Sequence, residues 1–334
     1  MSNQPYPSSP IDFFRNSTKN NKFLRIVFAG TPEFGLPCLS ALQNSEHQIV
    51  AVYTQPDRPA GRGRKLKFSA IKTWALEHNI LVNQPVNFKS QAAISELQAL
   101  KPDLMVVIAY GLILPTEVLN IPTFGCVNVH ASILPKWRGA SPIHNAILNG
   151  DEETGVAIMQ MDKGMDTGDY YQITACKISD DDTTGTLHDK LARIAINPLL
   201  ETIHNIQNYK AIPIKQNSSL ATYAGKIKKE DGKIIWNNSA QKINQQIRAF
   251  NPWPLAYAIL NGLNLQIIQA NVVHNQSNQQ PGTILEISKQ GMLVSTKEKS
   301  ILIEKIKFPG KNTIAISDYL NSNQTSLQVG QVFL

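Results

Sequence analysis

The chain has 334 residues, of which 42% are hydrophobic, so it is long enough for two domains with substantial cores. No apolar run approaches the roughly 18 residues that cross a bilayer, which excludes a protein that spans the membrane with helices. The net charge of +7 belongs to the last third, because residues 1–208 carry 18 basic and 19 acidic side chains whereas residues 209–334 carry 14 and 6.

A basic surplus confined to one part of a chain indicates a polyanionic partner, and a basic solvated surface without a partner is the alternative. Three widely spaced cysteines match no zinc site and no disulfide framework. They predict a reducing, cytoplasmic location.

Residues 1–22 are polar and contain prolines but no apolar core of a secretory signal. We expect a disordered extension here. A weak organelle-targeting signal is the alternative, which Asp12 opposes.

Apolar runs alternate with helical patterns between residues 23 and 208. Because the runs are continuously apolar rather than alternating, they predict parallel strands covered on both faces. The predicted strands are Leu24–Gly30, Gln48–Tyr53, Asp103–Ala109, a strand ending near His130, Val156–Met161 and Tyr170–Ile178. The predicted helices are Glu33–Ser45, Phe68–His78, Gln91–Leu100, Ser141–Leu148 and Thr184–Gln207, the last with a kink or break near Pro198.

The pattern changes after residue 208. Residues 209–224 are polar, with Pro213 and a cluster of Asn and Ser, and they predict a linker. A helix at Ala240–Phe250 precedes short predicted strands, which are Leu255–Leu260, Leu265–Val273, Thr283–Ile287, Met292–Ser295 and Ile301–Ile306. About five strands at this spacing predict a small β-barrel. A basic barrel of this kind suits nucleic acid, although a β-domain that only packs against the first domain is the alternative.

Two glycine-containing turns follow predicted strands. The segment Phe28–Gly35 lacks the second glycine of a dinucleotide fingerprint, so a structural turn is favoured over a phosphate cradle. The segment Pro56–Lys67 is basic, and its forked guanidinium donors suit phosphates. We expect it to order against an anionic partner through Arg58, Arg62, Arg64 and Lys65, with a solvated loop as the alternative.

Asn128 and His130 stand two residues apart on the predicted strand, so both side chains point to one face, about 7 Å apart. An amide donor beside a group that titrates near neutrality suits a reaction at a carbonyl. Such a histidine needs a carboxylate to orient it. Asp166 is the candidate, and Asp162 and Asp169 are rivals that the sequence leaves open.

Long motifs on both sides of the linker resemble the methionyl-tRNA formyltransferase family of the folate-dependent formyltransferase superfamily. The motifs are FAGTPEFG, PDRPAGRGRK, NVHASILPKWRG, MDKGMDTGD, YAGKI and RAFNPWP. The resemblance runs from about Leu24 to the C-terminus and leaves the first 22 residues outside.

The resemblance implies a Rossmann-like, doubly wound, mostly parallel α/β domain at 23–208, joined by the linker 209–224 to a basic, tRNA-binding, OB-like β-barrel domain at 225–334. It implies transfer of the formyl group of 10-formyltetrahydrofolate to the amino group of methionyl initiator tRNA. It assigns catalysis to Asn128, His130 and Asp166, folate contact to Ser132-Ile133-Leu134-Pro135, and tRNA contact to the loop around Arg62. Ile133 stands where relatives have Leu. No metal and no protein partner are implied, so we expect a monomer.

Three other functions are alternatives. A folate-dependent N-formyltransferase acting on an amino sugar or a purine intermediate would share the catalytic motif, but the basic second domain favours tRNA. A non-catalytic RNA-binding protein would have no need of Asn128, His130 and Asp166. The poor glycine fingerprint disfavours a nucleotide-dependent dehydrogenase.

Overall fold

A computed structural model describes residues 23–60, 65–322 and 326–334. The predicted N-terminal extension, and Arg62 and Arg64 of the basic loop, lie outside the described residues. For Lys65 the backbone is described and the side chain is not.

The first region contains one large sheet and several short strands. In chain order its strands are β1 (Arg25–Gly30), β2 (Gln48–Tyr53), β3 (Arg58–Ala60), β4 (Lys65–Lys67), β5 (Val82–Asn83), β6 (Leu104–Ile108), β7 (Cys126–His130), β8 (Arg138–Gly139), β9 (Glu153–Gln160) and β10 (Tyr170–Lys177). The large sheet has the order β10-β9-β7-β6-β1-β2-β5. Pairing is parallel from β7 to β5, and β9 and β10 add antiparallel strands at one edge. The prediction of a mostly parallel sheet is confirmed.

Helices cover both faces of this sheet, and each face has its own apolar core. These helices are Leu36–Gln43, Ala70–Glu77, Gln91–Ala99, Thr116–Leu119, Pro142–Leu148, Thr184–Ile194 and Ile196–Gln207. The predicted long helix is therefore divided at Ala195. Because a proline ring clashes with the carbonyl four residues earlier, Pro198 explains a break just after Ile194.

The second region contains a sheet that is antiparallel throughout. After the short β11 (Tyr223–Ala224), its strands are β12 (Ala256–Leu260), β13 (Leu263–Val273), β14 (Ile284–Ser288), β15 (Gly291–Ser295), β16 (Ser300–Lys307) and β17 (Thr313–Ala315). The order is β12-β13-β16-β15-β14, with β17 beside β16. The helix Ala240–Ala249 packs on β13, and the helix Ile316–Asn321 and strand β17 are additions to the predicted elements.

The last residues of the chain link the two edge strands of this second sheet. The amide of Leu334 donates to Ile259 on β12 over 2.8 Å, and the amide of Ile284 on β14 donates to Gln331 over 2.8 Å. One short terminal segment therefore contacts both edges of the sheet, and closure into the predicted OB-like barrel stays a prediction. The predicted domain limits at 208 and 225 stay predictions, with one large sheet on either side of them.

The segment predicted as a linker packs against the first region. The main chain of Ile214 pairs with Tyr170, and β11 pairs in parallel with β8. Thr184 also donates a hydrogen bond of 2.6 Å to the carbonyl oxygen of Ala249, which joins helices of the two regions. No helix in the described ranges is long and apolar enough to cross a membrane.

Candidate active site

The polar end of β7 lies at the carboxyl ends of the parallel strands, where open α/β sheets bind ligands. Asn128 pairs with Met159 on β9 and Val107 on β6, and His130 pairs with Ala157. The two polar side chains share one face of the sheet, as their spacing predicts. The side-chain amide of Asn128 has no hydrogen-bond partner within the described residues, and the residue is partly exposed. It is therefore an uncommitted donor beside the imidazole.

His130 is 6% exposed, and both ring nitrogens face acceptors. Nε2 lies 3.0 Å from the carbonyl oxygen of Trp137. A carbonyl only accepts, so the proton of that contact belongs to Nε2. Nδ1 lies 3.6 Å from Oδ2 of Asp166, beyond direct hydrogen-bond range. A small shift of the ring or the carboxylate would close this gap.

Asp166 lies on the loop between β9 and β10, and its Oδ2 accepts a 2.8 Å hydrogen bond from the amide of Gly139. Its φ of 54° lies in the left-handed region, which costs energy in a residue with a Cβ atom and recurs at functional sites. Within the described residues, neither Asp162 nor Asp169 forms an ion pair with His130, whose ion-pair partner is Asp166. Asp162 is exposed and accepts hydrogen bonds within its own turn from Thr167 and Gly164.

The loop of residues 131–137 connects β7 to β8 and is held by its own polar groups. Ser132 is fully buried and donates over 2.5 Å to the carbonyl oxygen of Lys136. The indole of Trp137 donates over 2.7 Å to Asp151. Of the predicted folate segment, Ser132 and Leu134 are buried, whereas Ile133 and Pro135 are partly exposed. The side chains of Ile133 and Pro135 are therefore more accessible to a ligand than those of Ser132 and Leu134, and folate contact by this segment stays a prediction.

Two side chains close to this site were missed by the sequence analysis as functional residues. Arg138 is 2% exposed and donates to Oε1 of Gln216 from Nε over 3.1 Å and from Nη2 over 2.8 Å. Gln216 in turn donates to the carbonyl oxygen of Asp166. Arg138 lies within a quoted motif, but Gln216 belongs to the polar segment predicted as a linker and 50 residues separate it from Asp166. No local pattern could have linked them.

The basic segment forms a hairpin, β3–β4, with the exposed Arg58 on its first strand. A partly buried polar cluster holds its base. Lys72 donates to Asp57 over 2.5 Å and to Gln84 over 2.8 Å, and Gln84 donates to the second oxygen of Asp57 over 2.9 Å. The hydrogen bond from Lys72 lowers the pKa of the Asp57 carboxyl. We call Asp57, Lys72 and Gln84 the hairpin clamp.

The turn after β1 has a structural role. A Cβ atom on Gly30 would lie 2.9 Å from the carbonyl oxygen of Ile108, so glycine lets β1 and β6 approach. The hydroxyl of Thr31 donates to the carbonyl oxygen of Tyr110 over 2.9 Å. These contacts tie the two strand ends together and match the predicted turn.

Comparison with known proteins gives the same result for both regions. A family model described as formyl transferase matches residues 24–203, and one described as formyl transferase, C-terminal domain, matches residues 226–324. The chain is 58% identical to a methionyl-tRNA formyltransferase of Legionella pneumophila over 92% of this chain and 98% of that protein. It is 49% identical to one of Hydrogenovibrio crunogenus over 91% and 98%.

A solved structure is similar in fold at low identity. It is an N-formyltransferase from Helicobacter canadensis in complex with folinic acid and dTDP-3-aminofucose, with a TM-score of 0.64, 20% identity, and coverage of 84% of this chain and 99% of that one. At this identity the likeness supports the fold alone.

Proposed function

Because this chain belongs to the formyl transferase family, we propose that it transfers the formyl group of 10-formyltetrahydrofolate to the α-amino group of methionyl initiator tRNA. The observation that carries the proposal is the 58% identity that extends over 98% of a methionyl-tRNA formyltransferase. Such coverage includes both regions and the motifs that contain Asn128, His130 and Asp166. It makes the chain a one-carbon transferase of translation initiation.

The donor set of the site suits a carbonyl-bearing folate. An uncommitted amide at Asn128 faces the same side as His130. Beside them, the partly exposed Ile133 and Pro135 offer apolar contact to a flat ring. We assign them direct contact with the folate, and we assign Ser132 and Leu134 the support of the loop. The folate carries the one-carbon group, while the protein supplies position and polarity.

Asn128 has the part of stabilising the oxyanion. A neutral methionyl amine attacks the formyl carbon, and an α-amino group titrates near pH 8, so a usable fraction is neutral at pH 7. As the new C–N bond forms, the carbonyl electron pair moves to oxygen. The amide N–H of Asn128 donates to that oxygen and needs no reorganisation to do so.

We assign Asp166 the transfer of the proton, and we assign His130 an electrostatic part beside it. The attacking nitrogen loses a proton, and the folate nitrogen gains one as its bond to the formyl carbon breaks. Asp166 is 18% exposed and so can reach substrate directly or through a water. An imidazolium at His130 could donate to Trp137 and Asp166 at once, and it would add positive charge near the oxyanion.

The partner of the basic surfaces is the tRNA. The hairpin presents Arg58 to solvent, and the net charge of the last third is positive. Arg62, Arg64 and Lys65 extend the same basic sequence, and we assign them to tRNA contact as well.

The three cysteines are free, which supports a reducing cytoplasmic location.

One experiment tests the proposal against its alternatives. The purified protein is offered 10-formyltetrahydrofolate with charged initiator tRNA, charged elongator tRNA or an amino sugar, and products are identified by mass spectrometry. We expect N-formylmethionyl product with initiator tRNA. Formylation of the amino sugar with no reaction on tRNA would favour the alternative N-formyltransferase, and no formyl transfer at all would favour the RNA-binding protein.

A further inference from the structure

Gln216 is the one buried residue between positions 209 and 223, at 5% exposure. Its side chain lies between the two loops that flank His130. On one side it accepts two hydrogen bonds from Arg138, which follows the predicted folate segment. On the other side its amide donates to the carbonyl oxygens of Asp166 over 2.9 Å and Gly168 over 2.6 Å.

Arg138 determines the orientation of the side-chain amide of Gln216. A guanidinium only donates, so the oxygen of the amide must face Arg138. The NH₂ group must then face the loop of Asp166, where two carbonyl oxygens accept both of its protons. The oxygen of the side-chain amide and both of its N–H groups thus have hydrogen-bond partners. The side chain can take only this one orientation between the two loops.

Asp166 needs such support because its backbone is in the left-handed region, at φ 54°. A free chain prefers other conformations by about 1–2 kcal/mol. In the folded protein the residue is held at two points. Gln216 binds its carbonyl oxygen over 2.9 Å, and Gly139 binds its carboxylate over 2.8 Å.

Residues 222 and 224, which follow Gln216 in the chain, contact the other loop beside His130, the one that contains Trp137. The hydroxyl of Thr222 accepts a 2.9 Å hydrogen bond from the amide of Trp137, whose carbonyl oxygen in turn faces His130. A Cβ atom on Gly139 would lie 2.6 Å from the carbonyl oxygen of Ala224, so only glycine permits the pairing of β8 with β11. The chain between the two sheets thus touches both loops of the site.

We propose that Gln216 is a positioning residue that holds Asp166 at His130, so that the segment joining the two sheets completes the active site. The inference deepens the proposed function, because it rests on the catalytic part given to Asp166. Gln216 itself touches no reacting atom in this assignment.

The test variant is Gln216→Glu. A carboxylate of the same shape still accepts from Arg138, so the buried guanidinium keeps its partner. It cannot donate, and it turns an oxygen toward the carbonyl oxygens of Asp166 and Gly168. We expect kcat to fall on the order of 10²-fold, the usual result of displacing a catalytic group by about 1 Å, while the KM values for folate and tRNA change less than about threefold.

The matched control is Gln246→Glu. Gln246 also bridges two carbonyl oxygens, those of Asp231 over 2.8 Å and Lys233 over 3.0 Å, but it does so in the second region. We expect wild-type kcat from this variant. Thermal unfolding of both variants monitors the fold. If Gln216→Glu does not unfold cooperatively, Gln216→Asn replaces it, because the shorter amide cannot span both sides and should lose kcat in the same way.

A double-mutant cycle with Asp166→Asn separates positioning from general stability. If Gln216 acts through Asp166, Gln216→Glu should cost little further kcat in the Asp166→Asn background. A loss of equal size in both backgrounds, or wild-type kcat for Gln216→Glu beside a slow Asp166→Asn, would overturn the inference and leave the proposed function intact. Wild-type kcat for Asp166→Asn would instead refute the catalytic part of Asp166, and the inference with it.

Discussion

His130 and Asp166 each have partners on two sides, whereas the basic hairpin is held at its base. His130 lies between Trp137 and Asp166, and Asp166 lies between Gly139 and Gln216. On the hairpin, Arg58 is exposed and its guanidinium donates to the nearby Gln55 over 3.1 Å. Chemistry at a carbonyl needs fixed distances, while attraction to a phosphate backbone tolerates movement. The catalytic residues and the hairpin should therefore respond differently to substitution.

Substitutions of Asn128 and His130 should have the largest effects, and these effects should appear in kcat. His130→Ala removes the ring that faces Asp166 and the positive charge that an imidazolium would add near the oxyanion, and we expect kcat to fall about 10²–10⁴-fold. The KM for 10-formyltetrahydrofolate should change little, since the apolar contacts that we propose for Ile133 and Pro135 do not involve the ring. Steady-state kinetics with each substrate varied in turn measures both values. Wild-type turnover by a folded His130→Ala enzyme would refute the assignment.

Asn128→Asp keeps the shape of the side chain and removes its donor. An ionised carboxylate would then face the oxygen on which negative charge develops. We expect a fall in kcat of about 10²–10³-fold, the typical cost of one lost oxyanion donor. Asn128→Ala, which removes the donor without adding charge, is the comparison. If the Asp variant is no slower than the Ala variant, the amide does not point at the developing charge.

Much of this contrast could be predicted from sequence. Continuous apolar runs predict the parallel sheet, and the i, i+2 spacing predicts that Asn128 and His130 share a face. The pairing of Asp166 rather than Asp162 with His130 depends on the path of a loop, which periodicity does not describe. Gln216 and the hairpin clamp were missed because hydrogen bonds between distant polar residues leave no local pattern. The break after Ile194 lies four residues before its cause, as the geometry of proline requires.

The hairpin should respond in tRNA binding rather than in turnover. Lys72→Met removes the charge that holds Asp57 and Gln84, so the base of the hairpin loosens. We expect the KM for tRNA to rise several-fold, on the order of 1 kcal/mol for a partly buried pair, with kcat nearly unchanged. Lys190→Met, which breaks the ion pair of Lys190 with Asp182 elsewhere in the first region, is the control. Equal effects of the two substitutions would contradict a specific role for the clamp.

Individual hairpin arginines should have a smaller effect that depends on salt. Arg58→Gln and Arg62→Gln should each raise the KM for tRNA about two- to fivefold near physiological salt, and each should reduce the slope of log affinity against log salt by about 1 if it meets a phosphate. Binding of initiator tRNA at several salt concentrations measures the slope. An unchanged slope would identify that arginine as part of a solvated surface.

The smallest effect concerns the pH dependence of stability at the hairpin clamp. The hydrogen bond from Lys72 lowers the pKa of Asp57 in the folded protein. A carboxyl with a lowered folded pKa stabilises the fold above its unfolded value near 4, and that stabilisation disappears as the pH falls through the folded value. Asp57→Asn removes this contribution at every pH. Its melting temperature should therefore lie roughly 1–3 °C below wild type at pH 7, and the gap should narrow as the pH falls below 4. A gap of constant size from pH 7 to pH 2 would show that the ionised carboxylate contributes nothing to the clamp.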